Sequence, residues 1–132
     1  MVVGLYPMVA DVIHTGHIVA IEEAKNHCDY LIVALHCNPI YKNPVQSIFE
    51  RYMQLRAIKW VDEVIPYENK SDAERLICTL NYDIYFLGAD YLNKDFEGKD
   101  ILAKLNKQIY YISRNHTFSS TELKNRIKEV KL

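Results

Sequence analysis

Five short, apolar, β-rich runs alternate with five helix-like segments along this chain, and that alternation restricts the possible folds more than any other feature of it. Residues 2–6 form the first run, with Pro7 expected to close it, and residues 30–35 form a second that is apolar without interruption. Runs this short and this continuous read as strands buried on both faces. Residues 61–67, 83–87 and 108–112 supply three more, the first of them ending in Pro66-Tyr67 and the second at Gly88. Between them lie amphipathic patterns over 16–27, from Ser47 to about Trp60, over 72–80 and over 94–104, with a last one beginning at Ser119 or Ser120. Ser47 and Glu50 have the spacing of a capping box. Strand and helix in strict turn predict a Rossmann-like α/β fold, three layers α/β/α around a five-stranded parallel sheet. Ligands of such sheets bind beyond the carboxyl ends of the strands. Segments 11–17, 36–42, 88–91 and 114–120 all follow strands and so share one predicted edge. No repeat or low-complexity tract divides the 132 residues, so one domain over 1–132 is expected.

Charge and composition narrow the partners. Sixteen basic against seventeen acidic side chains, a net charge of −1, argue against an extended nucleic-acid surface. No apolar run approaches the roughly 20 residues of a membrane span. Met1-Val2-Val3-Gly4 lacks the basic start of a signal peptide, so a cytoplasmic location is expected. Cys28, Cys37 and Cys78 are odd in number and show no CxxC spacing, which fits reduced thiols.

The chemistry concentrates in Ala10-Asp11-Val12-Ile13-His14-Thr15-Gly16-His17. Two imidazoles three residues apart at a helix start lie on one face and can point at one object. Unpaired N–H groups and the partial positive charge at a helix N-terminus favour an anion there, and Gly16 lets a phosphate approach the backbone. Imidazoles so placed can donate hydrogen bonds to phosphate oxygens as charge develops on them. A zinc site would need at least a third ligand, and none stands at a familiar spacing. His36, at a strand end facing the same edge, reads either as an acceptor-selecting group or as a satisfied polar histidine.

Three blocks in order give the chain a resemblance. Asp11-Val12-Ile13-His14-Thr15-Gly16-His17, then Glu50-Arg51 with Leu55-Arg56-Ala57 and Val61-Asp62-Glu63-Val64-Ile65-Pro66, then Arg114-Asn115-His116-Thr117-Phe118-Ser119-Ser120-Thr121, resemble the motifs of the small HxGH cytidylyltransferases. Members of that type act on glycerol 3-phosphate, phosphocholine or phosphoethanolamine. The resemblance implies the HxGH nucleotidyltransferase fold, a homodimer, Mg²⁺ as cofactor, and transfer of CMP from CTP to a small phosphorylated acceptor with release of pyrophosphate. It assigns His14, His17, Lys42 and Arg114 to catalysis. To the nucleotide it assigns Val9, Ala10, Asp11, Gly16, Gly88, Asp90, Thr117, Ser119, Ser120 and Thr121. Arg51 falls to the acceptor's phosphate, beside His36, and Asp62-Glu63 reads as structural.

The chain departs from the family pattern in three places. Met8-Val9-Ala10-Asp11 replaces Gly-x-Phe-Asp, Thr117-Phe118 stands where Gly-Ile is usual, and the loop between the second strand and Glu50, which carries Lys42, is shorter than in the glycerol-phosphate enzymes. A residue with a Cβ in place of glycine reshapes a phosphate loop. Two alternatives therefore stay open: an adenylyltransferase of the same fold, since a His pair reads triphosphate and not base, and a nucleotide-binding subunit without activity.

Overall fold

A computed structural model describes residues 1–40, 42–113 and 120–130, with the side chains of Ser120 and Thr121 left aside. Five strands form one all-parallel sheet in the order β3-β2-β1-β4-β5: β1 Val3–Met8, β2 Tyr30–His36, β3 Glu63–Tyr67, β4 Ile84–Gly88 and β5 Gln108–Ile112. Helices α1 Thr15–Lys25, α2 Ile48–Arg56, α3 Lys70–Thr79, α4 Lys99–Lys104 and α5 Ser120–Glu129 alternate with them, and a short 3₁₀ turn, Ala89–Tyr91, follows β4. The expected fold class is therefore the observed one.

The continuous apolar runs are explained by burial on both sides. Leu31, Val33 and Leu35 pack with Ile21 and Ala24 of α1 and Leu55 of α2. Ile32 and Ala34, with the opposite parity, pack with Ile77 of α3 and Leu102 of α4. The same alternation holds in β4, where Ile84 and Phe86 face one layer and Tyr85 and Leu87 the other.

Among the element bounds that differ from the sequence expectation, four have a clear local reason. Pro7 does not close β1, which runs on to Met8 and keeps Pro7 opposite Ala34. The Val2 carbonyl accepts from Asp29 and Tyr30, on the β2 side, and the Val3 carbonyl accepts from Asp83, on the β4 side. Alternation then turns Pro7, which has no N–H, toward β4, and there the β1–β4 register has already ended at Leu5 and Tyr85. Helix α2 stops at Arg56 instead of Trp60. Asp62 is needed elsewhere: its carboxylate takes the Leu31 N–H and the Lys25 ammonium, and Glu63 beside it accepts from Tyr30 OH at 2.8 Å, so both carboxylates bind within this chain. Asn69 accepts from the Asp72 N–H and starts α3 two residues early. Gly98, at φ 87°, occupies a left-handed conformation that prevents a helix from running through it, so α4 begins at Lys99.

Gly4 in β1 allows the central strands to sit close to their neighbours. A Cβ there would lie 2.4 Å from Phe86 Cε2 and 3.0 Å from Cys28 Sγ, and Phe86 is fully buried. Gly4→Ala is expected to cost about 1–3 kcal/mol through overpacking, read as a lower midpoint in urea with an unchanged slope. An unchanged midpoint would show that the layers are not packed this tightly.

Candidate functional site

The parting of β1 and β4 lies at the point where strand order reverses, and a cavity of about 750 Å³ opens there. The carboxyl ends of four strands reach it, through Met8, His36, Tyr67 and Gly88.

At its floor, α1 begins with an unusual cap. His14 is the N-cap and His17 the third helical residue. The Gly16 N–H donates to His14 Nδ1 at 2.9 Å, and the His14 N–H donates to His17 Nδ1 at 3.2 Å. Two imidazoles thus do what Ser and Glu do in an ordinary capping box. Their rings lie 4.2 Å apart between centroids. A nitrogen that accepts a hydrogen bond carries no proton, so in each neutral ring the proton sits on Nε2. The helix cap therefore fixes the tautomer of both rings, which line the cavity along with buried Gly16.

The approach to this cap is strained. Ala10 and Val12 both take positive φ, 57° and 50°, and Val12 is β-branched. Long-range bonds hold the turn in place. Asp11 accepts from the Val45 N–H at 2.9 Å, the Gln46 N–H at 3.0 Å and Lys124 Nζ at 3.2 Å, while the Val12 N–H donates to Gln46 Oε1 at 2.8 Å. Burial alone would raise the Asp11 carboxyl. The two backbone hydrogen bonds and Lys124 outweigh burial and hold it below its ordinary value. Asp11, expected among nucleotide ligands, spends its carboxylate on the chain itself.

Arg51 is tied into the chain in a similar way. It is only 2% exposed, the one charged residue buried among the described residues, and its guanidinium donates to the carbonyls of Val9 (3.0 Å), His36 (2.8 Å), Cys37 (2.8 Å) and Gln46 (3.2 Å). The fork that was expected to hold an acceptor phosphate joins the ends of β1 and β2 to the loop before α2.

The other expected residues divide. Val9, Ala10, Lys42 and His36 line the cavity, and Lys42 has no ion pair or hydrogen-bond partner among the described residues. His36 stacks on Tyr67, with centroids 4.7 Å apart. Burial, with Arg51 adding to it, lowers the His36 pKa against the pull of Glu97 and Glu68. Gly88 lines the cavity; Asp90, two residues on, is exposed and does not. Arg114, Thr117 and Ser119 lie outside the described residues, and Ser120 and Thr121 enter only as the first turn of α5. Sequence reasoning missed Lys124, which α5 brings to the cavity and to Asp11. Its signal was its place one helical turn after Ser120. Glu23 was missed too: its carboxylate accepts from Tyr110 OH, the Ser113 N–H and Ser113 OH, fastening the end of β5 to α1.

Comparison with known proteins agrees with this arrangement. The sequence model of the cytidylyltransferase-like family matches residues 5–127. Glycerol-3-phosphate cytidylyltransferase of Bacillus subtilis (strain 168) is 33% identical over 121 residues, covering 89% of this chain and 90% of that protein. Ethanolamine-phosphate cytidylyltransferase of Dictyostelium discoideum is 34% identical over 123 residues, 89% of this chain but 34% of that longer protein. Among solved structures, a lipopolysaccharide core biosynthesis protein from Thermoplasma volcanium GSS1 shares the fold with TM-score 0.74 at 24% identity, over 88% of this chain and 99% of that one.

Two predictions follow from the latches. Arg51→Lys keeps the charge but not the fork, leaves buried carbonyls unpaired and is expected to lower stability by about 2 kcal/mol or more in urea unfolding; a neutral result would contradict the clamp. The Asp11 and Glu23 carboxyls lie below their ordinary values of 3.8 and 4.5. The stability they contribute is complete above those values and is lost as pH falls through the lower folded ones. Asp11→Asn is therefore expected to be less stable than wild type at neutral pH and to show a shallower loss below about pH 4. Parallel acid limbs would contradict the Asp11 latch.

Proposed function

The chain belongs to the cytidylyltransferase-like family, and from that and the cap of α1 we propose that it transfers CMP from CTP to a small phosphorylated acceptor. An oxygen of the acceptor's phosphate forms a bond to the α-phosphorus, while the bond from that phosphorus to the oxygen bridging to the β-phosphorus breaks. Pyrophosphate leaves with the electron pair, and the product is the CDP-linked acceptor. Little proton transfer is needed, because a phosphate is already an anionic nucleophile at neutral pH. The protein's work is alignment of two anions and compensation of charge that moves toward the leaving pyrophosphate.

One observation carries this reading: both imidazoles of the His14 and His17 pair accept backbone hydrogen bonds at Nδ1, so each ring, when neutral, carries its proton on Nε2, the nitrogen that is not part of the cap. The remaining groups follow from the family likeness. Lys42 and Arg114 would grip phosphate oxygens, Thr117, Ser119, Ser120 and Thr121 would supply donors at the start of α5, and Gly88 and Asp90 would sit near base and ribose. Lys124 adds a cation at the same wall. Magnesium would arrive as the counter-ion of the triphosphate. Mg²⁺ binds through substrate phosphates more than through protein cages, and among the described residues no group of three His, Cys, Asp or Glu is placed to hold a metal.

The test is pyrophosphate release with CTP and with ATP, in wild type and in two variants. His17→Ala removes one donor. His14→Asn removes the other while its amide oxygen can still cap α1. Each is expected to lower turnover with CTP about 100-fold or more, with the protein still folded. Near-wild-type turnover in both would overturn the mechanism, and preference for ATP would make the protein an adenylyltransferase.

A further inference from the structure

Beyond the His pair, the cavity continues to a second end of different character. His36, Tyr67, Tyr85, Tyr91, Phe96 and Glu97 line it. The rings of Tyr85 and Phe96 lie nearly parallel, 6.4 Å apart with 9° between planes, and Tyr91 meets Phe96 edge-on at 6.3 Å. Tyr85 is only 5% exposed, yet its hydroxyl has no hydrogen-bond partner among the described residues, nor has that of Tyr67. Other tyrosines in the protein are satisfied: Tyr82 donates to the Ile77 carbonyl at 2.8 Å and Tyr110 to Glu23. Among the described residues no side-chain oxygen is both sealed from solvent and without a partner, so these two hydroxyls stand open at the cavity wall, where a ligand can take them as partners.

Charge separates the two ends. His14 and His17 stand at one, with Lys124 paired to Asp11 just before them, and Lys42 lines the same cavity. At the other, Glu97 has no ion pair among the described residues, and its charge is felt at His36, Tyr67 and Tyr85. Burial first, and Glu97 with it, push both phenols well above the ordinary tyrosine value, so they stay neutral. The lining here is therefore ring faces, that of His36 among them, two neutral hydroxyls and the Glu97 carboxylate, backed by Ala73, Leu76 and Ile77, while the nearby Arg51 guanidinium is spent on the carbonyls of His36 and Cys37. A polyol would lose water from its hydroxyls against that apolar wall without enough partners, and a second anionic group would meet Glu97. An ammonium group gains from both the rings and the carboxylate.

Resting on the reading that the basic end takes the phosphates, we propose that the acceptor is a phosphorylated amino alcohol, its phosphate toward the imidazoles and its ammonium group among Tyr67, Tyr85, Phe96 and Glu97. The experiment uses the whole chain with CTP and Mg²⁺. Pyrophosphate release is measured with phosphoethanolamine, phosphocholine, glycerol 3-phosphate and a hexose 1-phosphate, and CTP binding is measured separately by calorimetry. At least one amine is expected to exceed glycerol 3-phosphate and the sugar by about tenfold or more in kcat/KM. Glu97→Gln should remove most of that advantage, about tenfold, with CTP affinity held within about twofold. CTP binding accompanied by preference for the polyol or the sugar, by no turnover with either amine, or by an advantage that Glu97→Gln leaves intact, overturns this proposal and leaves the nucleotide site standing. Failure to bind CTP overturns the functional reading and this one with it.

Discussion

A parallel sheet packed on both faces offers a ligand no room until two of its strands part, and here they part just before a residue that has no hydrogen to give. Beyond Leu5 and Tyr85 the β1–β4 register ends, and Pro7 presents no N–H to the β4 side. The β2 side of β1 stays paired as far as Met8. The central strand thus remains anchored on one edge while the other opens into the cavity, with the cap of α1 directly after it. Proline in a central strand usually argues against the strand; in this sheet it falls where the ladder has no further use for a donor.

Opening a sheet leaves its strand ends needing support, and the chain supplies it from far away in sequence. Arg51 binds carbonyls at 9, 36, 37 and 46, and Asp11 binds residues 45, 46 and 124. Between these latches the strained turn at Ala10 and Val12 is over-determined, which allows such backbone to persist. The capping imidazoles inherit that rigidity. Their orientation and tautomer are settled before any ligand arrives, so a polyanion meets donors that need not reorganise.

Much of this was legible in the sequence, for reasons that differ by residue. The runs at 30–35 and 83–87 read as strands because both of their faces are buried, which removes the polar alternation and leaves a continuous apolar signal. His14 and His17 were legible because three-residue spacing at a helix start is itself a geometric statement. Pro7 was misread because its effect depends on which neighbour the missing N–H faces, and that is a property of the sheet. The clamp made by Arg51 was hidden for a similar reason: its acceptors lie as far as 42 residues away, so nothing local in the sequence marks it. Lys124 was hidden on a helix whose polar face reads as solvated. The aromatic end of the cavity draws residues from β2, β3, β4 and the 91–97 segment, and no spacing rule gathers those.

The central claim is that the cap of α1 presents two Nε2–H donors to a triphosphate lying across the parted strands. Nitrogen-15 imidazole spectra of the protein, recorded before and during addition of CTP, test it most directly. The account predicts that, without nucleotide, Nδ1 of His14 and His17 is unprotonated and Nε2 protonated, and that CTP shifts the Nε2–H signals of these two rings while leaving His27 where it was. Nδ1-protonated rings in the free protein, or CTP binding that leaves both Nε2 signals unmoved, would contradict it.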